Sequence, residues 1–315
     1  MPMTDTAPKI IAVVGPTGTG KSNLGLAIAQ SLISHGQPAE IINTDSMQFY
    51  RGMDVGTAKL SEAERLGIPH HLIDHLEIRA ESTAAEYQLL ARERISALQT
   101  AGRVPILVGG SMLYIAAVLN QFDFPGTDEQ LRSHLEERLL EVGSVALHRE
   151  LADIDPTAAA RVDPLNPRRV VRALEIVQLT GKPFAAALPE VPIEWQPALQ
   201  IGLNSERAQL VQRLAERVHL MWETGLLEEV ESLISLGLRE AKTAGRAIGY
   251  AQALSEIDGK LTREEAIAQT VQLTQKYARR QMSWFRRDRR INWLDYQDPA
   301  VKDKALALVD DWLKS

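Results

Sequence analysis

The segment from Gly15 to Ser22, GPTGTGKS, combines glycines, a lysine and a hydroxyl in the spacing of a phosphate-binding loop. It fits G-x-x-x-x-G-K-[ST] at every fixed position. Glycines let the backbone curl so that successive N–H groups face an anion, and a helix that begins near Lys21 adds its positive end. Lys21 supplies charge to the outer phosphate, and the Ser22 hydroxyl can ligate Mg²⁺. The predicted phosphate-binding residues are Gly15, Pro16, Thr17, Gly18, Thr19, Gly20, Lys21 and Ser22, with Ser22 as the metal ligand.

The sequence around this loop lacks parts that nucleotide hydrolysis requires. Hydrolases usually carry an acid for Mg²⁺ at the end of an apolar strand, but the apolar run Val104–Val108 ends in Gly-Gly-Ser. Asp45, which follows the apolar run Ala39–Asn43, is the strand-end acid. Sheets of α/β proteins place ligands at the carboxyl ends of strands. Asp45 is therefore a candidate Mg²⁺ ligand or a base that faces the loop, and the third interpretation is a turn or helix-capping residue.

The elements that position these residues alternate between strands and helices. Apolar, β-branched runs predict strands at Ile10–Val14, Ala39–Asn43, Val104–Val108 and Leu199–Leu203. Helical spacing predicts helices at Lys21–Leu32, at Ser82–Gln99 with Ser82 as N-cap, and at Ser111–Asn120. This alternation predicts the α/β fold class, with a doubly wound parallel sheet of the P-loop NTPase-like type.

The pattern changes between residues 123 and 197, where prolines separate helical segments such as Glu129–Glu141 and Arg168–Leu179 and no strand is predicted. We interpret this part as an all-helical insertion domain. The predicted core then comprises residues 1–122 and 198–315, and the chain from Arg207 onward is mostly helical.

Composition narrows the possible protein classes. With 315 residues, 45% hydrophobic and 24% charged, the chain has the composition of a globular protein. The absence of cysteine excludes disulfides and thiolate zinc sites. Neither a membrane helix nor a signal peptide is predicted, so we expect a cytoplasmic protein. Although the net charge is −6, the segment from Lys276 to Arg290, KYARRQMSWFRRDRR, is strongly basic and includes Tyr277, Trp284 and Phe285.

Several longer blocks make the sequence resemble the tRNA dimethylallyltransferase family, also called tRNA isopentenyltransferases, of the bacterial type. The phosphate loop alone is common to many families. The blocks DSMQFYRGMDVGTAK (Asp45–Lys59) and YARRQMSWFR (Tyr277–Arg286) are more discriminating. The other matching blocks are PHHLID (Pro69–Asp74), ILVGGSMLY (Ile106–Tyr114), NPRRVVRALEI (Asn166–Ile176), RLAERV to GLLEEV (Arg213–Val230) and GRAIGYAQ (Gly245–Gln252).

The resemblance implies transfer of a dimethylallyl group from dimethylallyl diphosphate to N6 of the adenine at tRNA position 37, next to the anticodon, with release of diphosphate. It implies a P-loop α/β core with a helical insertion that contacts tRNA. The expected cofactor is Mg²⁺, the expected partners are the tRNA anticodon stem-loop and dimethylallyl diphosphate, and the chain is expected to act as a monomer away from membranes. The loop would then hold a departing diphosphate, which explains the missing hydrolase parts, and whether ATP binds the same loop stays open.

The resemblance implies catalytic roles for Asp45, Lys21, Ser111 and Arg217. Asp45 matches the family's proposed base, which the adenine amine requires because its lone pair is delocalised into the ring. Arg217, on one predicted helix face with Arg213, matches a position near the diphosphate. Ser111 is expected to hydrogen-bond the bridging oxygen or the RNA. The alternatives are a solvated helix charge for Arg217 and a helix N-cap for Ser111.

Residues expected to contact tRNA carry cations that follow phosphates or rings that stack on bases. Tyr250 and Trp284 have such rings, and the alternative for each is a core aromatic. His70 and His71 resemble a metal-binding pair, but adjacent strand residues point to opposite faces, so a structural role is favoured. The expected tRNA-binding residues are Asp45, Ser46, Met47, Gln48, Ser111, Arg168, Arg169, Arg172, Arg246, Gly249, Tyr250, Arg279, Arg280, Gln281, Trp284 and Arg286.

The chain departs from the family pattern in few places. The family often has Ala-Ser at Gly18-Thr19 and Thr at Ser22 and Ser111, and these exchanges keep the chemistry. Ala251 removes a charge that many relatives carry, which puts one RNA contact in doubt.

Three other functions compete with this interpretation: a small-molecule P-loop kinase, an adenylate isopentenyltransferase that modifies a free nucleotide, and a non-enzymatic RNA-binding module. The predicted insertion and the arginine-rich block disfavour the free-nucleotide enzyme. A binding module would not require Lys21 or Asp45.

Overall fold

The computed structural model of the chain describes residues 9–122, 124–184 and 192–315. Its strands form one sheet in the order β3-β2-β4-β1-β5-β6, and every neighbouring pair is parallel. The predicted α/β fold class with a parallel P-loop-like sheet is confirmed. The strands are β1 (Ile10–Val14), β2 (Ala39–Asn43), β3 (His70–His71), β4 (Val104–Val108), β5 (Ala198–Asn204) and β6 (Ile291–Asp295).

The described part of the chain contains twelve α-helices, together with short 3₁₀ helices at Ser46–Phe49 and Ala244–Arg246. The first six are α1 (Lys21–Ser34), α2 (Ala84–Thr100), α3 (Met112–Leu119), α4 (Glu129–Val142), α5 (Ser144–Ile154) and α6 (Pro156–Ala159). The second six are α7 (Pro167–Thr180), α8 (Arg207–Glu223), α9 (Leu226–Ile234), α10 (Tyr250–Ile257), α11 (Arg263–Phe285) and α12 (Val301–Lys314).

The central strands are buried on both faces, which is why β1 and β4 are continuous apolar runs. Along β1, Ile10, Ala12 and Val14 pack into one core, while Ile11 and Val13 pack into the other. The first core contains side chains of α2, α3 and α8 to α11, and the second contains side chains of α1 and α12. The helices therefore lie on both faces of the sheet, as a doubly wound fold requires.

Two local predictions differ from the structure. The N-cap of α2 is Thr83 and not Ser82, because Thr83 Oγ1 accepts from the Glu86 N–H and the Glu86 carboxylate accepts from the Thr83 N–H. The sequence prediction also missed β6, within a region predicted as mostly helical. β6 is an edge strand with only Ile291 fully buried, so its apolar pattern is weak.

The chain forms two compact units, one of residues 1–120 with 195–315 and one of residues 121–194. In the second unit, α4, α5, α6 and α7 pack around their own core, which includes Leu135, Leu147, Leu151 and Leu174. Of the predicted insertion 123–197, residues 123 and 185–191 lie outside the described residues. Within the described ranges, no helix is long and apolar enough to span a bilayer.

The ends of β2 and β4 are packed against each other through Gly109. A Cβ added at this glycine would lie 2.3 Å from Thr44 Oγ1, 2.6 Å from the Thr44 carbonyl carbon and 2.7 Å from the Asp45 backbone nitrogen. The Thr44 N–H also donates to Val108 O at 2.8 Å. Because two of the blocking atoms are backbone, Gly109 fixes where the chain leaves β2 and therefore where Asp45 begins.

We expect Gly109→Ala to lower the free energy of unfolding by about 1–3 kcal/mol, since the added methyl forces the Thr44-Asp45 backbone to shift. Denaturant unfolding followed by tryptophan fluorescence measures this. Gly126→Ala is the control, because a Cβ there meets nothing within 4 Å and Gly126 has no positive φ. Equal unfolding midpoints for the two variants would contradict this, because they would show that the Thr44-Asp45 backbone can shift without loss of stability.

Candidate active site

The candidate active site lies at the carboxyl edge of the sheet, where parallel strands bring their following loops together. The phosphate loop (residues 15–22) follows β1, the segment 45–48 follows β2, and the segment 109–111 follows β4. Two helices add side chains to these loops: α8 contributes Arg217, and α11 contributes Tyr277 and Gln281.

The phosphate loop is curled in a form that only glycine adopts readily. Gly15, Gly18 and Gly20 have φ values of 132°, 83° and 77°. A Cβ on Gly15 would also lie 2.5 Å from the Leu203 carbonyl oxygen of β5. Buried Thr19 donates its hydroxyl proton to Pro16 O at 2.9 Å, which closes the curl from within. The predicted cradle is therefore present in the fold.

Two partly buried cations face this loop. Lys21 Nζ donates to Pro16 O at 2.7 Å, and burial lowers the pKa of Lys21 to about 8, opposed by the charge of Asp45 and reinforced by that of Arg217. Arg217 reaches across from α8, with Nη1 3.4 Å from Thr17 Oγ1 and Nη2 3.3 Å from Thr57 O. Burial also lowers the pKa of Arg217, and the charge of Asp45 opposes this. Arg217 is therefore not a solvated helix charge.

Asp45 lies beside these cations without forming an ion pair. Among the described residues, neither Lys21 nor Arg217 has a carboxylate within 4.0 Å, although the charge of Asp45 acts on both. Asp45 caps the 3₁₀ helix, since Oδ1 accepts from the Met47 N–H at 3.1 Å, and its own N–H donates to Asn43 Oδ1 at 3.0 Å. The capping interpretation of Asp45 is thus correct, and the cap fixes the carboxylate at the site.

Ser111 joins two of the loops. It stands at the N-cap position of α3 but makes no side-chain cap. Its Oγ instead accepts from the Ser46 N–H at 2.9 Å and lies 3.1 Å from Ser46 Oγ. Ser111 is therefore the N-cap residue by position, as the alternative predicted, but its hydroxyl faces the segment that carries Asp45 and does not cap the helix.

Gln281 joins the phosphate loop to the segment after β4. This corrects its predicted role as an RNA contact. It is 1% exposed, Nε2 donates to Gly110 O at 2.8 Å, and Oε1 accepts from the Thr17 N–H at 2.9 Å. Both ends of the amide are occupied, so Gln281 holds the site together and does not face RNA. The Thr17 N–H is likewise committed, which leaves the rest of the loop to bind an anion.

Tyr277 is a site residue that the sequence prediction did not assign. Burial raises the pKa of Tyr277 to about 12, the charge of Asp45 adds to the shift, and hydrogen bonds with Ser111 and Gln281 oppose it. The hydroxyl therefore stays protonated beside the carboxylate. A periodicity argument can find this residue, because Tyr277, Gln281 and Phe285 are spaced four apart on one face of α11.

Several residues predicted to contact RNA are exposed. The cations on α7, in the 3₁₀ helix and on α11 are Arg168, Arg169, Arg246, Arg279, Arg280 and Arg286. Trp284 is half-buried against the core, and Ser46, Met47 and Gln48 are partly buried in the segment after β2. Arg280 also lies over the ring of Tyr277, with 5.7 Å to its centroid.

Other residues predicted to contact RNA are buried or bonded within the protein, and the core alternative for Tyr250 is correct. Tyr250 is fully buried and donates its hydroxyl proton to Glu229, so its ring offers no free face. Gly249 is buried with a φ of 92°, and it serves the start of α10. Arg172 is bonded to buried Glu175 and to backbone oxygens of residues 125 and 126. These positions require tertiary contacts that a linear motif does not show.

Arg213 and the two histidines have local partners. The Arg213 guanidinium lies over the ring of Tyr296, 4.3 Å from its centroid. His71 Nε2 is bonded to Glu40, and His70 Nδ1 lies 2.8 Å from Ile68 O. Across residues 9–122, 124–184 and 192–315, no group of three or more His, Cys, Asp or Glu residues could hold a metal.

The loop nevertheless suits Mg²⁺ held jointly by protein and phosphate. Mg²⁺ usually takes one or two protein ligands and completes its shell with phosphate oxygens and water. The Ser22 side chain is partly exposed at the start of α1 and makes no hydrogen bond within the described chain. Its hydroxyl is therefore free to act as one such ligand.

Comparison with known proteins places this chain in a family. A family model described as IPP transferase matches residues 48–288. The chain is 54% identical to a tRNA dimethylallyltransferase of Thermobifida fusca, over 95% of this chain and 94% of that protein. It is 52% identical to a tRNA dimethylallyltransferase of Streptomyces coelicolor, over 91% of this chain and 90% of that protein.

Solved structures agree in fold. A tRNA isopentenylpyrophosphate transferase of Bacillus halodurans is 38% identical, with a TM-score of 0.71 and 97% of each chain covered. A eukaryotic dimethylallyltransferase, described as acting on tRNA, is 27% identical, with a TM-score of 0.79 over 98% of this chain and 80% of that one.

The lowered pKa of Lys21 predicts pH-dependent anion binding. Below pH 8 the ammonium is charged and binds diphosphate, whereas above pH 8 it loses its proton and the affinity falls, by up to about tenfold per pH unit. Calorimetric titration with inorganic pyrophosphate from pH 6.5 to 9.5, without Mg²⁺, measures this.

Lys21→Arg is the control, because arginine stays charged over this range and so reports the titration of pyrophosphate itself. The same pH profile in both proteins would remove Lys21 as the titrating group.

Proposed function

The chain belongs to the IPP transferase family of tRNA dimethylallyltransferases, and we propose that it transfers a dimethylallyl group from dimethylallyl diphosphate to N6 of the adenine at tRNA position 37. It is a transferase that modifies tRNA. The observation that carries the finer proposal is the meeting of two cations, Lys21 and Arg217, with a fixed carboxylate, Asp45, at one edge of the sheet. Cations suit a departing diphosphate, and the carboxylate suits an amine that must lose a proton.

The donor side of the proposed reaction uses the phosphate loop. When the C1–O bond of the donor breaks, the electron pair leaves with the diphosphate, whose negative charge increases. Lys21 and Arg217 are held at the loop by contacts within the protein, and we propose that these cations and the loop N–H groups stabilise that charge with little reorganisation. We propose that the Ser111 hydroxyl hydrogen-bonds the bridging oxygen or the acceptor.

The acceptor side uses Asp45. As the N6–C1 bond forms, N6 contributes its electron pair and its proton moves to the Asp45 carboxylate. The cap formed with the Met47 N–H fixes the direction of this carboxylate. Tyr277, which keeps its proton, adds a neutral hydroxyl beside Asp45 without competing for the proton.

We propose that Mg²⁺ binds at Ser22. When bound, the ion neutralises part of the charge on the diphosphate, which makes the diphosphate a better leaving group. Lys21 and Arg217 supply the remaining positive charge from the protein. The ion in this proposal is shared between protein and substrate, which agrees with the lack of a three-residue His, Cys, Asp or Glu cluster in the described chain.

The acceptor adenine must leave the stack of the anticodon loop to reach the site, which costs a few kcal/mol. We propose that exposed arginines of α11 offset this by binding RNA phosphates: Arg279, Arg280 and Arg286. Arg168 and Arg169 of the second unit and Arg246 are proposed to add phosphate contacts. The tRNA substrate supports a cytoplasmic reaction, and we propose that the chain acts as a monomer.

One assay tests the function. The protein is incubated with Mg²⁺, dimethylallyl diphosphate labelled in the allyl group, and either tRNA or AMP. We expect label in tRNA, located at N6 of adenine 37 after nuclease digestion, with stoichiometric diphosphate release. Label in AMP instead would identify a free-nucleotide enzyme, and no label in either would contradict the proposal.

Replacement of the proposed base gives a second test. Asp45→Asn keeps the side-chain oxygen that caps the 3₁₀ helix but removes the basic group, so we expect transfer to slow by about 10²–10⁴-fold. Binding of tRNA and of pyrophosphate should stay close to wild type. Single-turnover rates with saturating enzyme measure the chemical step, and a rate near wild type would remove Asp45 as base.

The proposed RNA surface predicts a salt effect. Each phosphate contact contributes about 0.7–0.9 to the slope of log affinity against log salt, so Arg280→Ala/Arg286→Ala should lower the slope for tRNA by about 1–2. Filter binding between 50 and 250 mM KCl measures it. Arg94→Ala/Lys314→Ala removes two exposed cations of α2 and α12 as the control, and an equal slope change there would exclude a specific role for α11.

A further inference from the structure

Glu229, on α9, binds three successive backbone N–H groups of a loop after β2. Its Oε2 accepts from the N–H of Asp54 at 3.0 Å and of Val55 at 2.6 Å, and its Oε1 lies 3.3 Å from the N–H of Gly56. A concave row of N–H groups of this kind is a typical anion site. Here the anion is a side chain of the same protein, so the carboxylate fixes the backbone of residues 54–56.

Tyr250 completes this contact from α10. Its hydroxyl donates to Glu229 Oε1 at 2.5 Å, and its ring covers Gly56 so closely that a Cβ there would lie 2.4 Å from the ring. Burial and the charge of Glu229 raise the pKa of Tyr250 well above its usual value, so the hydroxyl remains a donor. The Glu229 carboxylate therefore accepts four hydrogen bonds, three from the loop and one from α10.

The next residue along this loop contacts the active site. The Thr57 carbonyl oxygen accepts from Arg217 Nη2 at 3.3 Å and from Gln48 Nε2 at 3.2 Å. Arg217 is the cation that also reaches Thr17 of the phosphate loop. Gly56, whose N–H is bound by Glu229, is followed directly by Thr57, whose carbonyl oxygen contacts Arg217.

We propose that Glu229 and Tyr250 position Arg217 by holding the Thr57 carbonyl, so that the guanidinium faces the diphosphate. This proposal rests on the function proposed above, because it deepens the role of Arg217 at that site. The pair touches neither substrate nor reacting atoms, and its members are positioning residues. The loop has a second anchor in Lys59, which donates to Tyr50 O and to the carboxylates of Asp54 and Asp74, so the loop is expected to shift locally when Glu229 is changed.

The test compares Glu229→Gln with Glu228→Gln, which removes an exposed carboxylate one residue earlier on the same helix. A glutamine keeps the length of the side chain, but its NH₂ group meets backbone N–H donors and cannot bind them. We expect the Kd for inorganic pyrophosphate to rise about tenfold and the single-turnover transfer rate to fall about 10–100-fold. Glu228→Gln should change neither value by more than about twofold.

A double-mutant cycle with Arg217→Lys separates positioning from general stability. Lysine lacks the planar fork that contacts Thr17 and Thr57 together, so Glu229→Gln should have less than about a twofold further effect in that background. An undiminished loss in the Arg217→Lys background, or a loss no larger than that of Glu228→Gln, would overturn the proposal.

Tyr250→Phe serves if Glu229→Gln does not fold, because it removes one of the four hydrogen bonds and keeps the ring on Gly56. We expect about a threefold rise in the Kd for pyrophosphate, and this rise should disappear in the Arg217→Lys background. The same rise in both backgrounds would count against positioning.

The pyrophosphate measurements need neither tRNA nor the allylic donor. Failure of the wild-type protein to modify tRNA would therefore refute the proposed function without deciding the role of Glu229.

Discussion

Two positive charges held close together in a partly dehydrated site set the main constraint on this protein. Burial lowers the pKa of both Lys21 and Arg217. The charge of Arg217 lowers the pKa of Lys21 further, and the charge of Arg213 lowers the pKa of Arg217 further. In the described part of the chain, carbonyl oxygens, the hydroxyl of Thr17 and the charge of Asp45 offset this repulsion. Such an arrangement is favourable when an anion arrives, which explains why so many contacts serve to hold these groups in place.

The sheet and its loops meet this constraint through backbone packing. Gly15 lies against the Leu203 carbonyl, Gly109 lies against Thr44, and Gly56 lies under the Tyr250 ring. Each glycine brings one loop of the site against a rigid element at a distance that a Cβ would prevent. The positions of the charged groups therefore depend on three places without side chains, in addition to the polar contacts.

The parts of the site that could be predicted from the sequence are those encoded locally. The phosphate loop, Lys21 and the strand-end position of Asp45 follow from short patterns, and four strands follow from continuous apolar runs. The contact of Tyr277 with the site and the two-ended bond of Gln281 could not be predicted, because each depends on which helix lies against which loop, and the core position of Tyr250 stood only as an alternative. Arg172 shows the same limit, since its partner Glu175 is recognisable as buried only in the folded unit.

Gln281 has a consequence for how this protein can vary. Its position needs a group that donates to Gly110 O and accepts from the Thr17 N–H, in one plane and at one side-chain length. A single-base change in a glutamine codon gives glutamate, lysine, histidine, arginine, leucine, proline or a stop. None of these has an amide, and asparagine, which does, is shorter and lies two base changes away. No single-base change therefore replaces Gln281 with a residue that makes both hydrogen bonds, so we expect few substitutions where α11 meets the phosphate loop.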